Sequence, residues 1–415
     1  MKVLVLNSGS SSIKYDLFDA ATWAALASGT LERIGQPDGR LVQRIRGPSG
    51  RIEETARPAP VSGHPEGFAR VLEALAASGA VRGGGDLAGV GHRVVHGGPV
   101  FEEPALVDST VVEAIREATR LAPLHNAANL MGIEVALETY PGVPQVAVFD
   151  TAFHRTMPPR AWHYALPAAL CAEHGVRRYG FHGTSHGYVA RRAAAMLGKP
   201  LQDLDLITLH LGNGASAAAI QAGRSVDTSM GMTPLEGLVM GTRCGDLDPA
   251  IPLYLARKTG MPPEALERVL KDESGLAGLC GSSDVREVVA RAESGDPDSV
   301  LALDVYCYRV KKYIGAYLAV LGRADALVFT AGVGENSAQI RRRCCQGLEG
   351  LGIALDEGRN GSASRGEREI QADGSAVKVL VIPTDEALEI AQRTLACVRG
   401  RGQPAPPGGH EEEAP

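Results

Sequence analysis

No two of the seven cysteines stand in C-x-x-C spacing, and their number is odd. Cys344 and Cys345 are adjacent, a poor geometry for a disulfide or a shared metal. The pattern argues against a disulfide scaffold and for a reducing, cytoplasmic setting. No apolar run approaches the length of a membrane span, and an apolar strand pattern begins at the second residue, so neither an anchor nor a signal peptide is expected. Basic residues are not in surplus. The formal charge is −6, the wrong sign for a nucleic-acid surface. The Walker A pattern G-x-x-x-x-G-K-[ST] is missing, and so is a glycine fingerprint leading from a strand into a helix. What remains is the make-up of a soluble globular protein, 44% hydrophobic and 22% charged. A chain of 415 residues exceeds one ordinary core, and two domains are expected. The Pro/Gly-rich, acidic end "RGRGQPAPPGGHEEEAP" reads as a disordered tail over 401–415.

The first motif is "LNSGSSSIKYDLFD" at 6–19. Composition alone would make it a flexible linker. Its flanks argue otherwise, because "KVLVL" ahead of it is a buried-strand pattern. Behind it Ile13, Tyr15 and Leu17 alternate with Lys14 and Asp16, the period of a half-buried strand. The run is then a strand–loop–strand unit whose small residues expose N–H groups and hydroxyls, a loop suited to phosphate. A weak echo, "LITLHLGNGASAAAIQAG", stands at 206–223. Two copies of one unit suggest duplicated α/β domains facing a central cleft, the plan of the actin-like and sugar-kinase-like (ribonuclease H-like) superfamily.

Other stretches carry candidate chemistry. Arg93, in "GVGHRVVHGGPVF", is shaped to grip a carboxylate or phosphate in two prongs, or is a solvated surface residue. His125, in "APLHNAANL", stands just before a helical pattern and either caps it or meets a ligand. Asp150 ends the strand of "VPQVAVFDTAFH", where a carboxylate suits Mg²⁺ or acid–base work, or merely starts a turn. In "RRYGFHGTSHGYVARRAAAMLGKP" a helix is expected, capped by Thr184 or Ser185 and stopped by Gly198 and Pro200. His182 would stand at its anion-favouring N-terminus, and His186 reads as structural. The aperiodic "DTSMGMTPLEGLVMGTRCGDLDPAI" holds Arg243 as its one cation, an arginine finger if buried near phosphate. "ADALVFTAGVGENSAQI" reads as a strand, a Gly turn and a helix that offer backbone N–H groups to a nucleotide. In "VIPTDEALEIAQRTL", Thr384 is the expected N-cap, and Glu386 complements the helix dipole.

Taken together and in order, these stretches closely resemble the acetate kinase family of short-chain acyl kinases. The matching motifs are "NSGSSSIKY", "GHRVVHGG", "APLHN", "VAVFDTAFH", "YGFHGTSH", "HLGNGAS", the long Asp227 stretch, "FTAGVGEN" and "IPTDE", spanning the first residue to about residue 398. The resemblance implies a Mg²⁺-dependent, reversible transfer of the ATP γ-phosphoryl group to acetate, giving acetyl phosphate and ADP. It implies Asp150, His182 and Arg243 as the catalytic set, and Asn7 with Glu386 at Mg²⁺. Arg93 would bind the acetate carboxylate and His125 would contact the substrate, beside a small apolar pocket of Val95, Leu124, Phe181 and Pro234. Lys14, Ser10 and Ser12 would hold ATP phosphate. The rest of the nucleotide would fall to His210, Leu211, Gly212, Asn213 and Gly214; to Asp284, Val285 and Arg286; and to Ala331, Gly332, Val333, Gly334 and Glu335.

The family also implies a cytoplasmic homodimer, with no nucleic-acid or membrane partner. It implies a first domain of 1–150 plus 386–400 and a second, nucleotide-binding and dimerising domain of 151–385. Ala127 and Met232 depart from the family pattern, where Pro and an aromatic are common. Two other readings stand beside this one: a propionate or butyrate kinase with a wider pocket, and an actin-like or chaperone-like ATPase that drives partner binding.

Overall fold

The computed structural model describes residues 1–9, 11–47 and 49–400. The tail expected to be disordered, like Ser10, lies outside them. Among the described residues fourteen strands form two sheets. The first eight are β1 (Lys2–Ser8), β2 (Ser12–Asp19), β3 (Ala25–Glu32), β4 (Arg40–Arg46), β5 (Ile52–Pro58), β6 (Leu87–Val94), β7 (Ala105–Leu106) and β8 (Gln145–Phe149). The other six are β9 (Asp205–Leu211), β10 (Ala215–Gln221), β11 (Arg224–Thr228), β12 (Ala326–Thr330), β13 (Arg368–Glu369) and β14 (Lys378–Val381). The chain divides into two compact units, Met1–Phe149 with Ala387–Pro415, and Asp150–Glu386.

The first sheet runs β5-β4-β3-β2-β1-β6-β8-β7 and the second β11-β10-β9-β12-β14-β13. One plan underlies both. In the first unit β1, β2 and β3 form an antiparallel meander, and β6 and β8 then add in parallel on the far side of β1. In the second, β9, β10 and β11 form the meander and β12 and β14 add in parallel beside β9. The sequence echo at 6–19 and 206–223 is therefore a repeat of fold, an actin-like, ribonuclease H-like unit built twice. β4 and β5 extend the meander of the first copy, with β5 at the edge. Every residue of β5 is exposed, and its charges and terminal proline suit an unpaired edge.

Hydrophobic alternation decides which face each strand buries. Leu4 and Leu6 of β1 join Ile13, Tyr15 and Leu17 of β2 in one core with Phe68, Val71 and Leu72 of the helix His64–Ala77. Val3 and Val5 face the other way, against Ile390 and Leu395 of the closing helix Glu386–Gly400. Each such buried aliphatic side chain contributes about 1.5–3 kcal/mol. The closing helix lies so near β6 that a Cβ on Gly91 would stand 2.3 Å from the Thr394 hydroxyl. This close approach is why position 91 of the strand is a glycine. In the second unit Val189 and Ala193 of the helix Gly183–Leu197 pack with Leu206, Ile220, Val328 and Leu380 of the sheet. Among the described residues no helix is long and apolar enough to cross a membrane.

Candidate active site

Both copies of the fold place candidate residues at the carboxyl ends of their three parallel strands. In the first unit Asn7 lies in the last turn of β1, Arg93 at the end of β6, and Phe149, the last residue of β8, leads directly into Asp150. In the second, His210 is near the end of β9, Ala331 follows β12, and Glu386 stands five residues beyond β14. Strand ends are where ligands collect in open α/β sheets.

In the first unit, Arg93 Nη1 donates to Asn7 Oδ1 at 3.3 Å, joining β6 to β1. Lys14 is exposed on β2, opposite Asn7 in the ladder. The Gly9 N–H donates to the Ser12 carbonyl at 2.8 Å, and the His64 ring lies 2.8 Å from the Gly9 carbonyl, so the Gly/Ser run is a tied loop. Val95 is buried, and its N–H donates to Asn129, whose amide donates in turn to the Ser8 carbonyl. Asn126 exchanges two hydrogen bonds with the backbone of His96. Asn126 and Asn129 thus hold the loops after β1 and β6, a role that residue type alone does not reveal. His125 sits within the first turn of the helix Pro123–Thr139 rather than ahead of it. Leu124 lies in the same turn, with its side chain outside the described residues.

In the second unit the helix Gly183–Leu197 is the organiser. Its N-cap is His182, in the left-handed conformation at φ 57° and with no side-chain cap, so the expected Thr184 or Ser185 cap is not formed. Thr184 has another task, because its hydroxyl donates to Asp150 Oδ1 at 2.9 Å. The Gly183 N–H donates to the Asp150 carbonyl, also at 2.9 Å. His182 stacks on His210 with centroids 4.1 Å apart. Gly198, left-handed at φ 62°, ends the helix as expected.

His182 and Arg243 converge. His182 Nε2 and Arg243 Nη1 each lie 3.4 Å from the point where a Cβ on Gly214 would stand. Arg243 is largely buried, and burial pushes its guanidinium below the usual arginine range. Its Nη1 donates to the Pro234 carbonyl at 3.1 Å. The long Gly-rich stretch is held open by Arg178, which donates to the carbonyls of Thr228, Ser229 and Met230 and pairs with Glu236. Phe181 is buried, and its carbonyl lies 3.0 Å from His154 Nε2.

A cavity of about 740 Å³ is lined by Gly212, Asn213, Asp284, Val285, Arg286, Gly332 and Val333, with Ser283, Val289, Asn336 and Ser337 added. Three segments that the sequence singled out for a nucleotide therefore meet. Asp284 caps the helix Val285–Glu293 and pairs with Arg286, which holds its carboxyl down at about 2. Leu211 is fully buried, so its side chain is closed to a ligand. The turn expected at 331–335 is itself a helix, Ala331–Asn336, entered through Ala331 at φ 64°. Burial raises the Glu335 carboxyl, which accepts from the Thr384 N–H. The last helix begins at Glu386, so Asp385 rather than Thr384 stands at its cap position. The Thr384 hydroxyl instead accepts from Ser185, tying β14's exit to the His182 helix.

Known proteins of similar sequence and fold identify the family. A model described as the acetokinase family matches residues 2–392. The chain belongs to the acetokinase family. It is 55% identical over 403 residues to the acetate kinase of Syntrophobacter fumaroxidans, covering 97% of this chain and 98% of that one. It is 54% identical to the acetate kinase of Leifsonia xyli, with 95% and 98% covered. Among solved structures, Porphyromonas gingivalis acetate kinase is 43% identical with a TM-score of 0.89, covering 96% of this chain and 99% of that one. A Francisella tularensis propionate kinase has the same TM-score at 39% identity, with 95% and 99% covered. The chain is thus a phosphotransferase whose family uses a carboxyl group as acceptor, and the partner-driven ATPase reading falls away.

Proposed function

We propose that the protein transfers the γ-phosphoryl group of MgATP to acetate, reversibly, giving acetyl phosphate and ADP. The observation that carries the reading is the convergence of His182 Nε2 and Arg243 Nη1 over Gly214, in the unit that also holds the 740 Å³ cavity. Reversible ATP-dependent acetate phosphorylation is the family's known activity.

The chemistry asks little of a base, because a simple carboxylic acid is already ionised at neutral pH. It asks for alignment and for relief of repulsion, since an anion must approach a polyanion. Arg93 and His125 take the carboxylate, with the methyl group against Val95, Leu124, Phe181 and Pro234. Lys14, Ser10 and Ser12 hold phosphate, as do the N–H groups at 210–214 and 331–335. Arg243 and His182 draw charge from the equatorial oxygens of the moving phosphoryl group. Mg²⁺ arrives as part of the nucleotide substrate. The donors suit it: Asn7 and Glu386 would hold it through hard oxygens and Asp150 would order its waters, since Mg²⁺ prefers one or two carboxylates plus phosphate to an all-protein cage.

The working form is a cytoplasmic homodimer joined through the second unit. Leu253 and Tyr254 on the helix Ala250–Thr259, and Leu301 and Tyr308 on the helix Pro297–Leu321, are all more than half exposed there. A propionate kinase is the second reading, favoured by the equal TM-score of the Francisella tularensis protein. An ADP-forming assay with acetate, propionate and butyrate in parallel tests both. Acetate should give the highest kcat/KM. A preference for propionate would select the second reading, and no turnover above the acid-free background would reject both.

A further inference from the structure

Behind His182 runs a buried chain of polar groups. His182 Nδ1 lies 2.9 Å from Ser216 Oγ, and Ser216 Oγ lies 2.8 Å from His186 Nε2. His186 Nδ1 in turn lies 2.7 Å from Thr208 Oγ1. Ser216, His186 and Thr208 are fully buried. The scaffold fixes all four members. His186 is one helical turn beyond His182, with its N–H donating to the His182 carbonyl, while Thr208 and Ser216 lie on the paired strands β9 and β10.

A hydroxyl has one proton to give, and a neutral imidazole has one donor and one acceptor nitrogen. Burial, with the neighbouring His154 and His210 rings, keeps His186 neutral. With His182 also neutral, the chain has two states in which Ser216 accepts from one histidine and donates to the other. In one, Thr208 donates to His186 Nδ1, His186 Nε2–H donates to Ser216, and Ser216 donates to His182 Nδ1. That leaves the His182 proton on Nε2, the nitrogen beside Arg243 and Gly214. In the other, every bond is reversed, and His182 Nε2 presents a lone pair. Phosphoryl oxygens are acceptors only, so the first state is the one that binds them.

We propose that Ser216 and His186 are positioning residues that lock His182 in the tautomer with its proton on Nε2, facing the transferring phosphoryl group. The inference rests on the proposed role of His182 in phosphoryl transfer. No proton is consumed or released, because the chain only orders protons already present.

The test uses the full-length enzyme with ¹⁵N-labelled histidine at pH 8, His182 being assigned with a His182→Gln variant. The wild type should show His182 protonated at Nε2. Ser216→Ala should shift His182 toward a tautomer mixture and lower kcat tenfold or more, with KM for acetate and ATP within twofold. Thr208→Val should move both readouts the same way, by less. A wild-type His182 protonated at Nδ1 overturns the proposal, even if Ser216→Ala does not fold. So does a Ser216→Ala enzyme with unchanged tautomer and kcat. If the wild type transfers no phosphoryl group to acetate, the parent reading fails instead, and the tautomer signal reports that separately.

Discussion

A side chain on Gly183 has no room beside Asp150: its Cβ would stand 2.3 Å from the Asp150 carbonyl oxygen. That contact seats the helix N-terminus against Asp150, whose carboxylate accepts from the Thr184 hydroxyl. Gly183→Ala must push the two apart. The expected result is a loss of about 1–3 kcal/mol of stability and a drop in kcat larger than the stability loss explains. Urea unfolding beside steady-state kinetics measures both, and an Ala variant with wild-type values would refute the packing argument.

Asp150→Asn keeps the size of the side chain and an oxygen for Thr184 while removing the negative charge. If Asp150 orders Mg²⁺ and its waters, turnover falls by roughly ten- to a hundredfold and the Mg²⁺ concentration for half-maximal rate rises. Titrating Mg²⁺ at fixed ATP reads this. Near-normal turnover with an unchanged Mg²⁺ dependence would remove Asp150 from the role.

The residues proposed to meet the acyl group are apolar, and one methylene in such surroundings is worth about 1–3 kcal/mol. Propionate should therefore be a slower substrate than acetate by about tenfold or more in kcat/KM, and butyrate slower again. Equal efficiency on acetate and butyrate would contradict the assignment of Val95, Leu124, Phe181 and Pro234.

Four buried histidines set the response to acid. Burial pushes His92, His96 and His154 down to about 4, and His186 well below the ordinary value. Each is folded as the neutral ring, so below about pH 6.5 the unfolded chain takes up protons that the folded chain refuses. Stability falls as pH drops from about 6.5 to about 4, by up to about 1.4 kcal/mol per pH unit for each histidine. Above pH 7 this contribution is flat. Urea midpoints at pH 7.5, 6 and 5 should decline in that order, and a higher midpoint at pH 5 than at pH 7.5 would refute the buried-neutral assignment.

How much of this was legible in the sequence depended on range. The two hairpins were readable because period-two alternation flanks a short polar loop, and the register of β1 with β2 follows from it. Gly198 was readable as a helix stop because left-handed backbone suits glycine. The N-cap of that helix was not, since a histidine at φ 57° goes against local preference and is held by packing. Ala331 misled the reading of 331–335 in the same way. The contacts that tie the site together join residues far apart in the chain: Asn129 to Ser8, His182 to Ser216, Ser185 to Thr384. No local pattern reports such pairs. The family motifs named the residues, and the fold supplied the reason they meet.

The central claim is that catalysis here is the cancellation of negative charge on a phosphoryl group in flight. Steady-state kinetics of Arg243→Ala, in the direction of acetyl phosphate formation, test it most directly. The expected result is a fall in kcat of roughly 10³-fold or more, with KM for acetate and for ATP nearly unchanged, because the guanidinium is proposed to act on the transition state rather than on bound substrate. A variant that keeps wild-type kcat and shows only a raised KM would contradict it.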